Sequence, residues 1–79
     1  MGNAVVKQVL VELTRGGCRV ETLLYDPPAV TFRSPNGAHC ALSTDQGEFR
    51  LVQHTDDPAD ETVVQFPTLR EALRAAIAA

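Results

Sequence analysis

The sequence predicts an α+β fold, a two-layer sandwich with an N-terminal helix, an antiparallel sheet of four to five strands and a C-terminal helix. Three observations carry this. Apolar residues recur at helical spacing in the first fifteen residues and again in the last eleven. Between them, short runs alternate apolar and polar residues. Turn-forming clusters separate those runs at spacings too short for helical crossovers, so the strands form an antiparallel meander.

Residues 4–15 read as an amphipathic helix. At about 100° per residue, Val5, Val6, Val9, Leu10 and Leu13 share one face. Lys7, Gln8, Glu12, Thr14 and Arg15 share the other, and only Ala4 and Val11 stray. Asn3 suits an N-cap, and Gly16-Gly17 supply a left-handed stop. The four valines pull towards strand, but strict alternation fits the segment worse.

Residues 18–25 read as a strand, with Cys18, Val20, Thr22 and Leu24 on one face and Arg19 and Glu21 beginning the other. Asp26-Pro27-Pro28 breaks it, because two prolines remove two backbone donors. Residues 29–33 alternate again, with Val30 and Phe32 inward and Thr31 and Arg33 outward. Ser34-Pro35-Asn36-Gly37 follows, and its Asn-Gly suits a tight hairpin with positive φ at both central positions. Residues 38–42 return, residues 43–47 turn, and residues 48–53 form a strand with Phe49 and Leu51 on one face. An acidic loop spans residues 55–61, and residues 62–66 form a last short strand. In the final helix Thr68 and Glu71 have capping-box spacing, and Leu69, Ala72, Leu73, Ala76 and Ile77 form the apolar face.

Seventy-nine residues leave room for one domain, residues 1–79. Hydrophobic residues make up 44%, but ten of them are alanine, so the core is small. The net charge of −3 argues against a nucleic-acid binder held by phosphate contacts and against an electrostatic membrane anchor. No run reaches the roughly 20 apolar residues of a membrane span, and the first residues do not read as a secretory signal. The expected location is cytoplasmic with reduced thiols.

Several residues are candidates for chemistry. Cys18, His39, Cys40 and His54 are the soft ligand types. Adjacent His39 and Cys40 would point to opposite faces of a strand, so no metal and no cofactor is expected. A Cys18–Cys40 disulfide would close a loop worth about 3 kcal/mol in the entropic account; whether the two pair is left open by sequence. Neither thiol has the setting of an activated nucleophile, since Cys18 would follow a helix C-terminus and Cys40 sits in mid-strand. Arg70 and Arg74 stand one turn apart as a small basic stripe or a solvated helix face. Arg19, Arg33 and Arg50 should line the exposed sheet face among Glu21, Asp45 and Glu48, as cross-strand ion pairs.

Asp56, Asp57, Asp60 and Glu61 form the densest charge cluster. They lack the spacing and turn glycine of a calcium loop. A solvated loop competes with a docking loop for a basic protein partner.

The expected function is therefore non-enzymatic: a small binding or regulatory accessory protein, of inhibitor, immunity or phage and bacterial type, acting by protein–protein contact. A homodimer is a natural companion, with Ala72, Ala75 and Ala76 allowing close helix approach. A structural subunit of a larger complex is a further alternative. One more alternative comes from Gly37-Ala38-His39 at the start of a strand. These residues, within the helix–strands–helix order, resemble the small HicA-type mRNA interferases, which carry Gly-Ser-His at a comparable place. Ala38 departs from the serine, and an extra hairpin precedes the motif. The resemblance implies an RNA-directed enzyme or binder centred on His39.

Overall fold

The computed structural model describes residues 3–25 and 28–79. The elements run α1 (Asn3–Arg15), β1 (Arg19–Tyr25), β2 (Pro28–Arg33), β3 (His39–Asp45), β4 (Glu48–His54), a single 3-10 turn (Pro58–Asp60), β5 (Thr62–Phe66) and α2 (Leu69–Ala78). The first two residues of the break expected at Asp26-Pro27-Pro28, and the cap expected at the Asn3 side chain, lie outside the described residues, while Pro28 already belongs to β2, opposite Tyr25.

The strands form one antiparallel sheet in the order β1-β2-β3-β4-β5, a plain meander. Both helices pack against one face, α1 over β1 and α2 over β3, β4 and β5, which makes the predicted two-layer sandwich. The radius of gyration is 11.4 Å, close to the roughly 11.6 Å of a compact chain this long. Val9 and Leu13 from α1, Val30 and Phe32 from β2, Leu42 from β3, and Ala72 and Ala76 from α2 have no solvent exposure. Burying the helix stripes and alternate strand positions gathers most of the large apolar side chains into one core, while Val11, Leu24, Val63 and Val64 stay about half exposed.

Two local signals act as the sequence predicts. The C-terminus of α1 is closed by a Schellman motif: Cys18 N–H donates to Leu13 C=O at 2.8 Å and Gly17 N–H to Thr14 C=O at 3.1 Å. Gly17 has φ +93°, which a side chain would strain. At the start of α2, Thr68 Oγ1 accepts from Glu71 N–H at 3.3 Å. The return half of the capping box, from Glu71 to the Thr68 N–H, is not formed among the described residues.

Three expectations are corrected. A β-bulge between Val20 and Thr22 inserts Glu21 into the β1–β2 ladder. It shifts the alternation by one, so Leu23 packs on the core while Leu24 is 47% exposed. Asn36-Gly37 is not a two-residue hairpin. Pro35 fixes a negative φ at the second turn position, Gly37 N–H donates to Ser34 C=O at 2.9 Å, and only Gly37 is left-handed. The two-residue turn with both φ positive falls instead at Gln46 (φ 53°) and Gly47 (φ 83°), between paired Asp45 and Glu48. Last, Ala72 and Ala76 are wholly buried within the chain, so they offer no surface for helix approach by a second copy.

Ser34 ties the end of α2 to the β2–β3 turn. Its hydroxyl donates to Ala79 O at 2.8 Å and accepts from Ala38 N–H at 3.0 Å, and the residue is 4% exposed. Asn36 Nδ2 adds an exposed contact to Ala79 O at 3.2 Å. Ser34→Ala removes both hydroxyl bonds from a buried site and is expected to cost about 1–3 kcal/mol, with Asn36→Ala costing less. Urea unfolding of the two variants checks this, and equal midpoints would show that the latch contributes nothing.

Candidate functional site

The acidic segment leads from β4 into the sheet edge, and all four of its predicted residues are exposed. They do not act alike. Asp57 holds the loop's shape: its Oδ1 accepts from Ala59 N–H at 3.0 Å, and its carbonyl accepts from Thr55 Oγ1 at 2.6 Å and Asp60 N–H at 2.9 Å. Glu61 Oε2 meets His54 Nδ1 at 3.0 Å. Only the Asp56 and Asp60 carboxylates make no polar contact among the described residues.

The segment delivers the chain to β5, an edge strand paired only with β4. Its sequence, Thr-Val-Val-Gln-Phe, carries no charge and no proline. Val63 is 46% and Val64 48% exposed, one on each face of the sheet. Edge strands usually carry charge, proline or a bulge that discourages pairing with another chain. β5 has none of these. At the opposite edge β1 has both charged residues and a bulge.

The outer sheet face, turned away from the helices, holds a second cluster. Arg19, Arg33, His39 and His54 lie side by side across β1, β2, β3 and β4. Glu21 shares this face, as alternation from Val20 places it, and its Oε1 lies 3.4 Å from His39 Nδ1. Arg33 Nη2 lies 2.8 Å from His39 Nε2. A guanidinium only donates, so Nε2 accepts and the ring proton sits on Nδ1, facing Glu21. His39 is thereby held between a carboxylate and a guanidinium. The cross-strand ion pairs expected for the arginines do not form among the described residues, the Asp45 side chain lying outside them. Arg19 has no polar partner among the described residues, and Arg33 contacts an imidazole. This cluster was only half legible in sequence. Alternation places the arginines and Glu21 on the outer face, but the register that aligns Arg19, Arg33, His39 and His54 in one row is a tertiary fact.

The other candidates resolve into structural roles. Among the described residues no three His, Cys, Asp or Glu side chains form a group able to hold a metal. Arg70 and Arg74 line a shallow groove of about 510 Å³ between α1 and α2, with Gln8 and Glu12 opposite and Leu69, Leu73 and Ile77 beside them. Cys18 and Cys40 are both free and buried, one just before β1 and the other in β3, with β2 between those strands.

No protein-family model, curated protein or solved structure matches the chain.

Burial pushes both thiols above the ordinary cysteine value of 9.0, and Cys40 is pushed further by Cys18 nearby. The folded state therefore favours the protonated thiols. This stability is fully present below 9.0 and fades as the pH rises from 9.0 towards the folded values, because the unfolded chain ionises first. Urea midpoints should fall above pH 9, and the double variant Cys18→Ala, Cys40→Ala should lose that part of the decline. An unchanged alkaline slope in the double variant would assign it to other groups.

Proposed function

We propose that the protein is a small non-enzymatic binding or regulatory protein whose contact surface is the β5 edge and the acidic segment before it. The uncharged, unbulged β5, with a half-exposed valine on each face, carries this reading. A partner strand added along β5 would extend the sheet by one strand and cover both valines. Asp56 and Asp60, whose carboxylates make no polar contact among the described residues, would steer a basic partner towards that edge. A second copy of the chain is an alternative occupant of the same edge.

Val63→Lys puts a charge on the edge without touching the core and should abolish stoichiometric capture of a partner, or self-association in sedimentation, with the melting temperature little changed. Val11→Lys, at an equally exposed valine on α1 (46%), is the control and should bind as the native chain does. Replacing Asp56 and Asp60 by Asn should slow association and flatten its salt dependence. Equal binding by both lysine variants would remove β5 as the surface.

A second reading, an RNA-directed enzyme or binder centred on His39, draws on the Glu21–His39–Arg33 contacts. A carboxylate-oriented imidazole beside a guanidinium is a combination suited to proton transfer next to a phosphate. Unchanged RNA binding and cleavage after His39→Ala would end it.

A further inference from the structure

Arg19 and Arg33 are direct cross-strand partners on the outer sheet face. Side chains so placed have Cβ atoms about 4.5–5.5 Å apart, and like charges directly opposite destabilise a sheet. The usual relief is a carboxylate between the guanidiniums. Here the carboxylate on the same strand and face, Glu21, contacts His39 instead. Arg33 reaches the neutral side of that same imidazole, and Arg19 reaches no polar partner among the described residues. The nearest groups along the row, His39 and His54, bring no negative charge of their own. The result is two adjacent guanidiniums with no direct carboxylate contact among the described residues, the Glu21 carboxylate lying beyond the His39 ring.

We propose that Arg19 and Arg33 hold a phosphate group, with His39 fixing the Arg33 fork, and that the ligand is inorganic phosphate or a small phosphate monoester. Two planar forks side by side match the several oxygens of one phosphate better than the two oxygens of one carboxylate. The Glu21–His39–Arg33 chain sets the direction of one fork before a ligand arrives, so less side-chain freedom is lost on binding. The site lies on β1, β2 and β3, away from the β5 edge; it shares Glu21, His39 and Arg33 with the RNA-directed reading but requires neither RNA nor catalysis.

The test is an NMR titration of the full chain with inorganic phosphate and, separately, with adenosine 5′-monophosphate at matched ionic strength. Saturable shifts should centre on the side-chain signals of Arg19, Arg33 and His39. Arg19→Gln should weaken binding by at least about tenfold, the scale of a lost charge-assisted contact. Because it also relieves the like-charge pair, Arg19→Gln should raise the melting temperature of the ligand-free chain, which a merely structural arginine would not do. Arg33→Lys keeps the charge but loses the fork, and should bind more weakly than the native chain. Tighter binding of the nucleotide assigns the monoester as ligand, and equal binding assigns the free anion. Native affinity in Arg19→Gln, shifts centred elsewhere, or no saturable shift with either probe would overturn the proposal.

Discussion

Phe32 has no solvent exposure and is the largest wholly buried side chain among the described residues. It stands in β2 with Val20 on one side and Cys40 on the other, and it is buried in one cluster with Val9 and Leu13 from α1 and Ala72 and Ala76 from α2. The single apolar sheet face around it must be covered for the chain to fold, because a chain this small has no second core to fall back on. Covering it takes both helices. The alanines of α2 matter here through their size, since small side chains let the helix lie close to the sheet. The Ser34 latch and the Schellman motif after α1 can be understood as devices that hold the two covering helices in place. Each ties a helix end to the sheet with buried or well-aligned backbone groups.

A meander leaves two edges, and the chain treats them differently. β1 carries charge and a bulge, both features that discourage further pairing. β5 carries neither. Both helices are spent on the face, so neither is available to cover the β5 edge, and the loop before it supplies charge to its flank only. The same economy that lets so short a chain close one core therefore leaves one strand at the sheet edge with exposed valines.

Elements with a strong local signal were legible in the sequence. Val30 and Phe32 alternate cleanly and are buried as expected, Thr68 caps α2, and β5 runs over the predicted residues. What was hidden depends on single-residue shifts. Leu23 and Leu24 are both apolar, so alternation alone could not say which faces the core, and the bulge at Glu21 decides it. In the β2–β3 turn, Asn-Gly carries a strong hairpin preference, but Pro35 before it restricts the backbone first and moves the left-handed position to Gly37 alone. The acidic cluster looked uniform as a string of letters. In the fold, Asp57 shapes the loop and Glu61 pairs with His54, which leaves two carboxylates for anything outside.

The bulge also links the core to the outer face. Without Glu21 as an extra residue, the strict alternation that follows Val20 would send Leu24 inward and leave Leu23 outside. With it, Leu23 reaches the core, and Glu21 and Thr22 share the solvent side. Glu21 keeps the outer face that alternation gives it, and among the described residues its carboxylate contacts His39 and neither arginine. A sheet selected for stability alone would place an opposite charge or a threonine across from Arg33, as Thr31 stands across from Thr22 one step along. Strain kept where a simple substitution would relieve it is characteristic of surfaces that meet a ligand, because the ligand supplies the missing charge when it binds.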